Sequence, residues 1–538
     1  MQNLQSADIP IRRALPPRPE PGLVRGPTIK VAASNASREE KVHADITCSG
    51  KNDGSYVSRQ LAFAPSNGYL LQFSPGTFDW DAGVTFTTGG IHVRGAGMGY
   101  ARGTDIRCAD GVHAFTLDGQ TTNCWRNSIR DLQIRFNWPT SDANQQTSGT
   151  AIRMLGAQVW NINLSNLAIW SMYNGISLNV GASGFTPAGA GWVDGCVIGE
   201  CKNRGISITG AADFHVSRSY TTNLTTQPIT YGLYADRVSG LYLVDFDCHA
   251  PGYGIALVSD SAANTITHVY GVRVYLDQCG NDGLYGLVSH ANGNFTNVNF
   301  ATLTVSKAGR SGVSSPPAES ASYGLRIDKS AGSLVGVHFT DLNIEGCAES
   351  GGYLANIEEL EISGGRINNN RHKASANIYN ECGLYIVNCP NYRLSGLRVG
   401  DKDSAGLSYS GEAHGQKWGI YDNGGGGDDI IANCDVTDQY TAGGAGIYLA
   451  DGSKVRVSGC PGYNPRGALG PPAVPASTVA YTNAYGVDCT VHVTGGTVTV
   501  IAVGGTTTGL TSGSFRVPNG GTITITYSVV PTWVFLGD

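Results

Sequence analysis

Charge is scarce in this chain: Asp, Glu, Lys and Arg make up 14% of its 538 residues, against about a quarter in an ordinary globular protein. Hydrophobic residues supply 41%, enough for a large core. Together these values exclude a disordered chain and a long-helix protein. The formal net charge of −6 comes without a basic cluster, so nucleic acid is not an expected partner. No apolar run approaches the roughly 18 residues of a membrane span, and no membrane insertion is expected. Met1-Gln2-Asn3-Leu4-Gln5 lacks a basic stretch leading into an apolar one, so no secretory signal peptide is expected. No Cys or His spacing fits zinc, and neither a metal nor a cofactor is expected. The 13 Cys are expected as buried, reduced, small hydrophobes of a chain folded in a reducing cytosol.

What is abundant is glycine, at 74 positions, between many short apolar segments. Residues 1–40 carry the proline-rich run Ala14-Leu15-Pro16-Pro17-Arg18-Pro19-Glu20-Pro21 and read as an extended leader or anchor. Residues 41–100 read as a cap with a short amphipathic helix over 56–64 and strands at Tyr69–Phe73 and Ile91–Arg94. Residues 101–460 are short strands with β-branched residues at alternate positions, bounded by Gly, Asn, Asp and Ser. Aligned on the last apolar residue, they end at Ile134, Ile169, Ile198, Phe246, Leu276, Val305, Ile344, Ile367 and Val399. Several spacings lie near 30, and the insertion 311–317 accounts for one longer interval. A period of this length made of strands and turns predicts a solenoid whose coils share one core. About ten coils at about 4.8 Å each make a rod roughly 50 Å long. A Pro-rich linker over 461–476 leads to 477–538, whose clean alternation predicts a small antiparallel β module.

The opening, with Cys48-Ser49-Gly50-Lys51-Asn52-Asp53-Gly54, Ser74-Pro75-Gly76-Thr77-Phe78 and Gly95-Ala96-Gly97, resembles that of pectate-lyase-like right-handed parallel β-helix proteins. Coils such as Asn174-Gly175-Ile176-Ser177-Leu178 continue the likeness to about 460. The order of leader, β-helix and C-terminal module is similar to that of bacteriophage tailspikes. The resemblance implies an all-β, single-stranded parallel β-helix acting as a homotrimer on the virion. Its leader would dock on a phage tail or baseplate protein, and its target would be a bacterial surface polysaccharide. Such proteins bind surface polysaccharide, and many act on it as glycosidases, lyases or deacetylases, while others bind without cleavage. The fold does not choose among these.

In a solenoid, one sequence column becomes one row of neighbours. The column after the aligned strand ends reads Gly199, Asp247, Asp277, Ser306, Glu345 and Asn368. Asp247 and Asp277 are then expected about 5 Å apart, and Asp277 and Glu345 about twice that. Glycoside hydrolysis uses two carboxyls about 5 Å apart for retention, or about 6.5–9.5 Å for inversion. Asp247, Asp277 and Glu345 are therefore the catalytic candidates, with Asp245 and His249 in reserve. A lyase would instead draw on His249 as base, with Arg273 and Lys307 against a uronate carboxylate. Trp125, Trp170 and Trp192 are candidate sugar platforms or core residues. Asp also caps strand-to-turn corners, so an acidic column can arise without catalysis.

Overall fold

The computed structural model describes residues 26–99, 102–136, 146–179, 190–223, 229–261, 265–309, 322–371, 381–400, 416–437, 439, 445–463 and 467–537. The proline-rich run at 14–21 and the insertion at 311–317 lie outside them. The body is a parallel β-helix of 30 hydrogen-bonded strands. Regular pairing starts earlier than the sequence suggests. Thr28–Ala32 pairs in parallel with Ile46–Thr47 and with Tyr69–Phe73, so the first coil begins inside the stretch read as leader. The helix spans Asp53–Leu61, three residues ahead of the expected 56–64. The buried Asp53 fixes its start: Oδ1 accepts the Ser49 and Gly50 N–H groups and Oδ2 accepts that of Asp79, all at 3.0 Å.

Each middle coil has three faces, shown by Tyr231–His249. The first runs to Ser239, and a left-handed Gly240 turns the chain. The second covers Leu241–Val244, and a left-handed Asp245 turns it again. Phe246–His249 is the third face, closed by a left-handed Ala250. The corner between the second and third faces recurs at Asp131, Asn166, Gly195, Arg218, Asp245, Arg273, Thr302 and Asp341, all with positive φ. Asn and Asp tolerate that conformation better than most residues, which is why these corners look polar in the sequence.

Inward residues form one continuous core, with Ile134, Ile169, Ile198, Thr221, Cys248, Leu276, Val305, Ile344 and Ile367 in one row of the third face. Each large buried side chain there contributes about 1.5–3 kcal/mol. A second internal row is glycine. A Cβ on Gly205, Gly232, Gly254, Gly283, Gly324 or Gly351 would stand 2.6–2.7 Å from the carbonyl oxygen of the next glycine. The recurring cysteines fill the space beside that row: Cys279 Sγ would lie 3.1 Å from a Cβ on Gly254, and Cys347 Sγ 3.0 Å from one on Gly324. All 13 Cys are buried and outside any disulfide.

The coils end at Val455–Ser458. Two four-stranded antiparallel sheets follow, made by Gly467–Leu469, Thr532–Gly537, Cys489–Thr494 and Gly513–Val517, and by Ala480–Thr482, Thr522–Val529, Thr497–Val503 and Thr506–Thr507. They enclose their own core of Val491, Val493, Ile501, Phe515, Ile523, Trp533 and Phe535. Gly467–Leu469, within the expected linker, is an edge strand of this module. No helix among the described residues is long and apolar enough to cross a membrane.

Candidate functional site

Side chains at alternate positions of the third face point outward, in two parallel columns. The first runs Ala168, Val197, Tyr220, Asp247, Tyr275, Thr304, Asn343 and Arg366. The second runs Trp170, Gly199, Thr222, His249, Asp277, Ser306, Glu345 and Asn368. The alignment from sequence therefore slips by one column at Asp247. Asp247 stands opposite Tyr275, and His249, not Asp247, stands opposite Asp277. The cause lies inside the coil. The inward residue that ends this strand is Cys248, and its neighbour one coil earlier is Thr221. Neither reads as the last apolar residue, so Phe246 takes that place in the alignment and the coil of Thr221 escapes notice.

The slip makes Asp247 and Asp277 diagonal neighbours, with Cβ atoms about 7–8 Å apart rather than about 5 Å. Glu345 stays two rungs from Asp277, with Ser306 between them. His249 Nε2 lies 3.9 Å from Asp277 Oδ2. Gln278, at a left-handed corner, donates to Asp277 Oδ2 at 3.2 Å, and the same amide nitrogen is 3.3 Å from His249 Nε2. Asp247 Oδ1, His249 Nδ1 and Asp277 Oδ1 are all buried without a hydrogen-bond partner. Leaving three such atoms on one small patch is costly, and a ligand would satisfy them. Burial raises the Asp247 carboxyl above its ordinary value; His249 opposes the shift and the Asp277 charge reinforces it. Burial likewise raises the flanking phenols of Tyr220 and Tyr275. Among the described residues no group of three His, Cys, Asp or Glu is arranged to hold a metal.

The other candidates divide. Trp170 belongs to the site's own column and lies across Gly199, where a Cβ would meet its ring at 2.1 Å. Trp192 is on the second face, stacked on His215 at 5.6 Å and continued by Tyr242 and Tyr270. One face of its ring is covered by the ladder, so it serves the sheet there. Trp125 pairs with Trp160 in a separate two-stranded sheet before the second face, away from the acids. Asp245 and Arg273 occupy the corner between the second and third faces and bind each other, with Nη2 to Oδ2 at 2.9 Å. That pair holds Asp245 below the usual carboxylate range. Lys307 is exposed at the next corner, one rung beyond Gln278. Gln278, Tyr220 and Tyr275 were not singled out from sequence. The signal for Gln278 was its place just after a strand-ending acid; Tyr220 belonged to the uncounted coil.

The fold and this outward patch define a parallel β-helix protein with an acidic centre on one sheet face. Solved structures of similar architecture include tailspike protein 3 of bacteriophage CBA120, with 14% identity, a TM-score of 0.45, and 80% of this chain and 63% of that one covered. Another is the A-module of the Azotobacter vinelandii mannuronan C-5 epimerase AlgE6, with 11% identity, a TM-score of 0.42, and 76% and 93% covered. The catalytic domain of a GH87 alpha-1,3-glucanase is a third, with 12% identity, a TM-score of 0.38, and 73% and 64% covered. No protein-family model and no curated protein matches the chain. These are likenesses of fold, and no residue role is carried over from them.

Proposed function

We propose that the protein is a tailspike-type depolymerase that binds bacterial surface polysaccharide on the third face and hydrolyses it with inversion. The observation that carries this reading is that Asp247, His249 and Asp277 stand in neighbouring outward columns of one sheet face, each with a buried polar atom that lacks a partner. Asp247, biased toward its protonated form, donates its proton to the glycosidic oxygen as the C–O bond breaks. Asp277 takes a proton from the water that attacks the anomeric carbon from the other side. The diagonal spacing leaves room for that water, as inversion requires. Gln278 and His249 orient Asp277, and Trp170 offers its ring to a sugar several rungs away. Glu345 lines the track beyond Ser306. Elimination is disfavoured because Arg273 is committed to Asp245 and Lys307 stands outside the cluster, leaving a uronate unopposed to three acids. On this reading the chain works as a homotrimer on a phage tail, attached through its N-terminal segment.

The test compares wild-type with Asp277→Asn on a polysaccharide that the protein binds. Loss of product by at least 10³-fold, with binding retained, supports the assignment. Unchanged product formation removes Asp277 from the chemistry. Binding with no product from either protein makes the site that of a non-cleaving receptor-binding fibre. Light scattering should give three chains per particle; a monomer contradicts the tailspike reading.

A further inference from the structure

A second built surface lies far along the rod from the acids. Where the last coil meets the C-terminal module there is a cleft of about 1190 Å³. Its wall on the coil side is an outward column of the second face, in which Arg393 pairs with Ile430 and Ile430 with Arg456. The strand alternation forces both arginines outward: Leu394, Val455 and Val457 beside them are buried. Among the described residues neither arginine has a carboxylate partner within ion-pair distance, although charged groups line the same cleft. The other cations are engaged, Arg516 with Asp488 at 3.0 Å and Lys454 with Asp451 at 3.5 Å. Of the acids, Asp428 is exposed in the same cleft, Asp429 accepts the Tyr392 N–H at 3.1 Å through Oδ1 while its Oδ2 is buried without a partner, and Asp488 accepts the Asn519 N–H at 3.0 Å. Glu361, one rung before Arg393, lies 3.9 Å from His338.

Two uncommitted guanidinium groups therefore flank a half-buried isoleucine, two rungs or about 9.6 Å apart along the axis. Guanidinium groups bind carboxylates through paired, charge-assisted hydrogen bonds, and Ile430 supplies an apolar floor between them. Two rungs is close to the length of a disaccharide, so the spacing suits carboxylates on alternate sugars. We propose that this cleft is a non-catalytic binding site for an acidic oligosaccharide whose repeat is a disaccharide with one carboxylate. Arg393 and Arg456 hold successive carboxylates, and the intervening neutral sugar rests on Ile430. The site is independent of the third-face chemistry and does not need it.

The probe is a hyaluronan hexasaccharide, which carries one carboxylate per disaccharide, titrated calorimetrically into the full chain. Chitohexaose is the neutral control and hexagalacturonate carries a carboxylate on every sugar. Hyaluronan hexasaccharide should bind, and Arg393→Ala and Arg456→Ala should each weaken it at least tenfold. Chitohexaose should not bind. Both arginines are exposed, so the melting temperature of each variant should match wild-type; Arg456→Lys should recover part of the affinity. Absence of binding at millimolar probe overturns the proposal, as does binding unaffected by either alanine. Tighter binding of hexagalacturonate refutes the alternate-sugar spacing.

Discussion

Replacing Asp277 by Asn should change the titration of Asp247 as well as the chemistry. The two residues are diagonal neighbours, with Cβ atoms about 7 Å apart. At that distance like charges repel by about 0.6 kcal/mol in bulk water and about 2.4 kcal/mol at an effective dielectric of about 20. Asp247 is only partly buried, so solvent screening favours the lower part of this range, about 1 kcal/mol. Because the Asp277 charge raises the Asp247 carboxyl, its removal should lower the Asp247 midpoint. Carbon-13 NMR on protein labelled at the Asp side-chain carboxyls would follow this, with Asp247→Asn identifying the resonance. The burial contribution persists in the variant, so the midpoint should remain above that of a free aspartate. An unmoved or upward-moving midpoint would refute the pairing of these two acids, whatever happened to product formation.

Other substitutions separate site from scaffold. Trp170→Ala should weaken polysaccharide binding with little loss of stability, whereas Trp192→Ala should destabilise the chain and spare binding; melting and binding curves on both variants decide this. Gly254→Ala puts a Cβ about 2.6 Å from the Gly283 carbonyl oxygen and should lower the melting temperature sharply, while an exposed-corner change such as Lys307→Ala should not. Asp105 is buried and receives Arg135 Nε at 2.9 Å and Nη2 at 3.0 Å. Asp105→Ala removes both of these bonds from a buried ion pair and should cost about 3–5 kcal/mol in denaturant unfolding. Burial raises the Asp282 carboxyl to about 7. A raised acid stabilises the fold fully below its unfolded value and loses that contribution as pH rises toward 7. Asp282→Asn, whose side-chain oxygen can still accept the Tyr323 N–H, should therefore flatten the decline in stability between about pH 4 and 7.

The solenoid was legible because strand ends such as Ile134, Ile169, Ile198, Leu276, Val305, Ile344 and Ile367 are all apolar and truly stack. The residues of the proposed site were readable in the sequence, but their geometry was not. A soft thiol at Cys248 and a hydroxyl at Thr221 fill the two inward positions directly beneath it, with Thr221 Oγ1 donating to Cys248 Sγ at 2.8 Å. Satisfied internally, they need no apolar side chain, and the apolar pattern that sets the register breaks there. The corner residues misled for a related reason. Asp245 and Arg273 follow the same charge alphabet as a catalytic pair, yet their left-handed backbone turns them off the face. The lower edge of the fold was hidden as well, since Thr28–Ala32 is short and joins strands well ahead in sequence.

The most direct test of the central claim is to incubate the purified protein with a panel of bacterial capsular and lipopolysaccharide glycans, following reducing ends, anomeric configuration and unsaturated-uronate absorbance together. The account predicts new reducing ends of inverted configuration, no unsaturated product, and loss of the signal in Asp247→Asn and Asp277→Asn. Unsaturated product would mean elimination, and a glycan bound but never cut would mean that the unpaired acids serve recognition alone; either result contradicts hydrolysis at Asp247 and Asp277.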